Sequence, residues 1–508
     1  MTVGDVDSSW RTSRLVTIND VYTFEKASGH GGFAAASTLI NELRRGHQGD
    51  CLVTVNGDFL GGSLLAEQSK GEVVIEILNH IGIDACVLGN HEFDFSTSVL
   101  ERRIGESKFD WYGANVTKLP ENRMLPGCID RKVVVTRSGL RLGVFGVCTP
   151  ATPKLSYPCD LTRFHDVIAT AKQAVAALQQ EGADLIIALT HLRLAADVDL
   201  AKECPEIHIV LGGHDHDPFS QLQNGQLVLK CGQNAYWVGV VDIHWRRKDG
   251  ADGIEFFLSY SMHSTCNTDE DPACIDIVRR CQEKFEPVDP DVDLDEVLVR
   301  CTGAQLDTRT STVRVCEASS GNLVADAMYS FFMAHGAEPD LACINGGFIR
   351  GDRLYPEDGV DITRRLLYEE MPFPKHACCI DIAGASYTAA IEQHLSQFPS
   401  PAGSFPHFSR SVAIEFDRDL PVGSRITKFT LHGEPIDPNR TYRVATSLFI
   451  ANCGDGCTAY KDGRIVESVL DRRIPDLVIW MLERYRDQNR PLRLVVEGRV
   501  RERQPNTT

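Results

Sequence analysis

The sequence predicts an α/β protein of two domains, and three observations carry that prediction. The N-terminal half alternates short β-branched runs with loops and helical stretches, the pattern of a layered domain around a mainly buried sheet. An acidic, proline-bearing stretch at 265–297 interrupts the chain. A second series of strands and turns, with a closing helix near 474–487, then runs to about residue 500. The length of 508 residues agrees, at ~100–200 residues per domain. With 43% hydrophobic and 24% charged residues the chain is globular, which excludes disordered and collagen-like classes.

In chain order, strands are expected at 15–18, 51–55, 85–88, 142–147, 185–189 and 207–211. The clearest helix is expected at 164–181, where Val167, Ile168, Ala171, Val175 and Leu178 recur on one face before Gly182 ends it. The segment 265–297 reads as an interdomain linker carrying one helix, IDIVRRCQEKF, between TDEDPAC and EPVDPDVDLDE. The expected boundaries are therefore 14–264, 265–297 and 298–500.

Seventy acidic against 52 basic residues give a net charge of −18. That balance argues against a nucleic-acid polymer or an anionic membrane as partner, while leaving room for a small anion in a locally positive pocket. Seventeen cysteines form no paired CxxC framework. MTVGDVDSSWRTSR has no apolar core of a secretory signal, and no segment approaches the ~18 apolar residues of a membrane span. A cytoplasmic location with reduced thiols is expected, although a secreted chain trimmed of its signal would read the same way.

The chemistry lies at the strand ends. Asn19-Asp20 follows the first expected strand, Gly57-Asp58 the second, Gly89-Asn90-His91-Glu92-Phe93-Asp94 the third, Thr190-His191 a later one, and Gly212-Gly213-His214-Asp215-His216 another. In an open α/β sheet these ends share one crevice. Carboxylate, amide oxygen and imidazole together suit zinc, manganese or iron better than calcium. One Asp after a strand is commonly a turn former or N-cap, and one His is commonly a satisfied core residue. Five such strand ends outweigh those readings and point to a metal site.

With NDVY at 19–22, GG at 31–32, NGD at 56–58, GNHEFD at 89–94, GAN at 113–115, TH at 190–191 and GGHDH at 212–216, the chain resembles the calcineurin-like metallophosphoesterases, and within them the 5′-nucleotidases. The resemblance implies a four-layer α/β/β/α catalytic domain joined by a helical linker to a smaller α/β substrate-binding domain. It also implies an active site between the domains and a rotation between open and closed states. Asp58 would bridge two divalent ions, manganese, zinc or similar, that polarise a phosphoryl group and activate the attacking water. Asp20 and His216 would complete one ion's site, and Asn90, His191 and His214 the other's. His91 would stabilise the transition state or protonate the leaving oxygen, with Asp94 orienting its ring. Many members have DxH where this chain has Tyr22 in the third position. Either Tyr22 ligates through its oxygen or the first site is weaker, with His30 and Glu25 as other candidates.

In the C-terminal half, Arg350 follows the glycine turn Asn345-Gly346-Gly347-Phe348, and Arg314 precedes Glu317 and Ser320-Gly321-Asn322. Both are candidates for a forked grip on phosphate. Met371-Pro372-Phe373 and the segment LFIANCGDG at 448–456 resemble family motifs that place aromatic rings above and below a nucleobase. By that resemblance Phe373 and Phe449 stack the base, Asp455 holds the ribose hydroxyls, Asn345 contacts the base, and Arg314 and Arg350 clamp phosphate. Cys453 replaces a glycine of the motif, and Cys457 stands where an aromatic is expected. The implied activity is hydrolysis of nucleoside 5′-monophosphates, with a small nucleotide as the binding partner. Relatives acting on 2′,3′-cyclic nucleotides, nucleotide sugars or sugar phosphates provide the nearer alternative, and a catalytically weakened nucleotide binder the more distant one.

Overall fold

The structure is a computed structural model that describes residues 10–26, 29–248, 253–285, 292–373, 375–470 and 472–503. The chain divides into two compact units, Met1–Glu286 and Pro287–Thr508.

The main elements of the first unit are β1 (Arg11–Ile18), α1 (Phe33–Arg45), β2 (Asp50–Val55), α2 (Glu72–Ile81), β3 (Ala85–Val87), β4 (Asp110–Tyr112), β5 (Cys128–Ile129), β6 (Arg131–Val135), β7 (Arg141–Cys148), α3 (Val167–Gln180), β8 (Leu185–His191), α4 (Leu194–Glu203), β9 (Ile209–Gly212), β10 (Pro218–Gln223), β11 (Gln226–Cys231), β12 (Trp237–Arg247), β13 (Ile254–Ser264) and α5 (Pro272–Phe285). They build a seven-stranded sheet ordered β13-β12-β1-β2-β3-β4-β5 and a six-stranded sheet ordered β10-β11-β9-β8-β7-β6. β1 runs parallel to β2, and β8 runs parallel to both β7 and β9.

Three apolar layers hold this unit. Leu15, Val87, Leu142, Leu185, Ile187 and Trp245 fill the space between the sheets. Phe33, Ile40, Val74 and Leu78 pack α1 and α2 on the first sheet's outer face. Ala171, Val175 and Leu178 of α3, with Leu200 of α4, cover the second sheet. The result is the expected α/β/β/α layering.

Two expected elements take a different form. The helix expected at 164–181 starts only at Val167, because Asp166 caps it by accepting the Ala169 N–H and Phe164 belongs to a short strand, Thr162–Phe164. The helix expected within the 265–297 connection is α5. Its buried Cys274, Ile277, Val278 and Cys281 fall at i, i+3, i+4 and i+7 and join the core shared by α1 and α2. Residues 286–291 of the same connection lie outside the described residues.

The second unit contains α6 (Ser319–Ala334), β14 (Leu341–Asn345), β15 (Ala377–Ala383), α7 (Gly384–His394), β16 (Pro406–Phe408), β17 (Thr441–Ser447), β18 (Arg464–Val469) and α8 (Ile474–Asp487), the last with the bounds expected from sequence. Its largest sheet is ordered β16-β14-β17-β15-β18. β17 is parallel to β14 and antiparallel to β15. The ends of β14 and β17 and the start of β15 therefore meet at one edge. A separate core, including Met328, Phe332, Ile344, Val444 and Leu477, supports that edge.

Candidate active site

In the first unit the expected ligands converge where β1, β2, β3, β8 and β9 end. One ligand atom from each of Asp58, His191 and His214 falls within 4.8 Å of the others. His191 Nε2 is 3.0 Å from Asp58 Oδ2, and His216 Nε2 is 3.5 Å from Asp20 Oδ1. Tyr22 lies among them, with its hydroxyl 3.2 Å from Asp20 Oδ1, 3.5 Å from Asp58 Oδ2 and 3.3 Å from His216 Nε2. His30, by contrast, packs its ring 4.2 Å from that of Tyr236, and Glu25 interacts electrostatically with Glu270. Gly57, at φ 79°, brings the β2 loop so close to His191 that a Cβ would strike the imidazole.

The charges are mutually dependent. Asp58 is 2% exposed and Asp20 fully buried. Burial pushes both carboxyls up, but the facing imidazoles outweigh it and hold both below their usual range; these are chiefly His191 and His91 for Asp58, and His191 and His216 for Asp20. Burial lowers His191 in turn, yet Asp58 and then Asp20 push it up to about 10. Desolvation and then the charge of His191 hold the half-buried His214 well below the ordinary imidazole value.

His91 adjoins this cluster. Its backbone N–H donates to Asp58 Oδ1 at 2.8 Å, and its Nδ1 pairs with Asp94 Oδ2 at 2.7 Å. Ser156 donates to the other Asp94 oxygen. His91 Nε2 is 3.9 Å from Asp58 Oδ2.

Two residues that hold the site together were not singled out from sequence. Glu92, fully buried, accepts backbone N–H bonds from Asp58, Phe59, Leu60 and Gly89, fastening the loop after β2 to the loop after β3. Burial and then the charge of Asp58 push it up to about 7, against those donors. Lys230 on β11 donates to the Leu192 and Gly213 carbonyls, both at 2.7 Å, and to Asp215 at 2.6 Å, tying the end of β8 to the end of β9. Glu92 was visible inside GNHEFD, but only the backbone donors around it reveal its work.

The residues fit divalent cations. Asn90 Oδ1 is buried without a hydrogen-bond partner, a costly state for an acceptor unless a cation takes it. Two buried carboxylates, Asp20 and Asp58, stand against imidazoles, and together these groups make the mixed oxygen and nitrogen donor set of a first-row ion.

In the second unit, Asn345 ends β14, Phe449 follows β17 in the turn Leu448–Ala451, and Phe373 precedes β15. Asn345 Nδ2 donates to Asp455 Oδ2 at 2.8 Å, so these two expected substrate contacts meet directly. The Arg350 guanidinium lies 5.1 Å from the Phe373 ring centre. Gly346 packs its Cα on the Val313 carbonyl so tightly that no Cβ would fit, which brings the Arg314 turn against the Asn345 loop. Cys453 occupies the left-handed region at φ 64°, where the motif's glycine would be unstrained. Cys457 is buried, its thiol pushed up by burial and by Asp455. All seventeen cysteines are free. Among the described residues, no helix is long and apolar enough to cross a membrane.

Comparison with known proteins agrees with both halves. The calcineurin-like phosphoesterase family matches residues 13–218, and the 5′-nucleotidase C-terminal domain matches residues 297–462. A 5′-nucleotidase of Diplobatis ommata is 25% identical across 85% of this chain and 79% of its own length. The trifunctional nucleotide phosphoesterase protein YfkN of Bacillus subtilis is 27% identical across 92% of this chain, which spans only 34% of that longer protein. The crystal structure of a 5′-nucleotidase precursor from Thermus thermophilus superposes with a TM-score of 0.83 at 25% identity, covering 97% of this chain and all of that one. Fold and matches together define a metallophosphoesterase, a hydrolase of phosphoric esters whose class depends on divalent metal. Within that class the chain belongs to the 5′-nucleotidase family.

Proposed function

We propose that the protein hydrolyses nucleoside 5′-monophosphates to nucleoside and inorganic phosphate. The observation that carries the reading is the meeting of Asp58, His191 and His214 beside the His91–Asp94 pair. Asp20, His216 and Tyr22 would hold one ion, Asn90, His191 and His214 another, with Asp58 common to both. Bound there, the pair of ions would polarise the phosphoryl group and lower the pKa of the attacking water.

The chain's own groups do the rest. Asp94 fixes the His91 tautomer through Nδ1, so the proton passed to the leaving O5′ comes from Nε2. Water adds to phosphorus, the P–O5′ bond breaks, and the nucleoside departs as its alcohol. Phe373 and Phe449 stack the base, Asn345 and Asp455 hold the nucleoside, and Arg314 and Arg350 grip phosphate oxygens. The name of the Bacillus relative favours a wider second reading, in which other nucleotide phosphoesters are also substrates.

Stacking is worth ~1–3 kcal/mol per base. Phe373→Ala and Phe449→Ala are therefore expected to lower kcat/KM for a nucleoside monophosphate by roughly 10–100-fold more than for a small phosphate ester. Equal losses on both substrates would refute the stacking role.

A further inference from the structure

Lys375 stands two positions after Phe373, and its Nζ lies 3.6 Å from the Phe449 ring centre and 5.0 Å from that of Phe373. One ammonium within cation–π reach of both rings shows that they line the same small space and that a cation fills it here. Its attraction for two ring faces is of the same order as the stacking of one base on them. A base that only stacks therefore gains little by displacing it.

A displaced ammonium does not leave. It stays within its four-carbon tether of the slot, carrying three donors and no acceptor. A base with a carbonyl oxygen at its edge can receive one of those donors. An exocyclic amino group in the same place presents a donor to a donor.

We propose that Lys375 is a specificity-determining residue of the nucleoside slot, favouring 6-oxopurines and 4-oxopyrimidines over their amino counterparts. The inference rests on reading Phe373 and Phe449 as the base clamp. It goes beyond that reading by naming the bases the clamp selects.

The test compares inosine with adenosine, which differ at purine C6, by calorimetric binding to the full chain, and then IMP with AMP as kcat/KM on metal-loaded enzyme. A charge-assisted hydrogen bond predicts a preference of roughly tenfold for the oxo base in the wild type. Lys375→Met should bring the ratio close to one, and Lys375→Arg, which keeps a cationic donor, should retain most of it. Because the readout is a ratio within each variant, a partial loss of folded protein does not alter it. No preference in the wild type, or a preference that survives Lys375→Met, overturns the inference while leaving the clamp in place. Nucleoside binding undiminished in both Phe373→Ala and Phe449→Ala overturns the clamp, and the inference with it.

Discussion

Asp20, Asp58 and His214 all hold left-handed backbone angles, at φ 52°, 56° and 78°. For a non-glycine residue that conformation costs ~1–2 kcal/mol, and here it falls on three expected ligands at the ends of different strands. Strain of this kind persists where the surroundings over-determine it, which agrees with a site assembled for chemistry rather than for stability. His91 is held differently, by its side-chain bond to Asp94. Asp94→Asn should therefore leave substrate KM nearly unchanged, lower kcat by on the order of 10²-fold and displace its pH profile, as steady-state assays over a pH series would register. A loss confined to KM would remove Asp94 from this role.

Among the elements, the loop after β3 fastens the loop after β2 chiefly through Glu92. Glu92→Ala leaves four backbone N–H groups without their acceptor, and urea unfolding of the metal-free protein should report a loss of at least about 3 kcal/mol. In the second unit, His407 of β16 is fully buried, with Nε2 donating to the Val313 carbonyl at 2.8 Å. Burial outweighs that bond and pushes the imidazole down to about 4. The unfolded chain takes up a proton near pH 6.5 that the folded unit refuses until about pH 4. Stability should thus fall as pH drops through that window, by up to about 3 kcal/mol, and level off below it. His407→Gln should lack this component, so its stability deficit relative to wild type should shrink between pH 7 and pH 4.5. A constant deficit would contradict it. Helix α5 shows how composition can hide an element's place. Its acidic, proline-bearing flanks suggested a linker, whereas Cys274, Ile277, Val278 and Cys281 already carried the spacing of a core-facing stripe.

Over the whole molecule, what could be read in advance followed from local rules. Strands that end in Asp, Asn or His are visible because apolar runs and polar terminators sit side by side, and Asp58, His191 and His214 cluster in the first unit with Asp20 and His91 against them. Glu92, Lys230 and Lys375 escaped because each has partners distant in sequence, backbone groups for the first two and the Phe449 ring for the third, which no spacing encodes. The two units keep separate cores; the expected metal ligands lie in the first and the expected nucleoside contacts in the second. The decisive measurement is inorganic phosphate release from nucleoside 5′-monophosphates, with metal-stripped protein reloaded with manganese, zinc or magnesium and His91→Ala alongside. A 2′,3′-cyclic nucleotide, a nucleotide sugar and a sugar phosphate complete the panel. Release from the 5′-monophosphates is expected only in reloaded protein, reduced at least about 10²-fold in His91→Ala. Tight nucleotide binding without release in any of the three metals would contradict the proposed hydrolysis and leave a binding protein in its place.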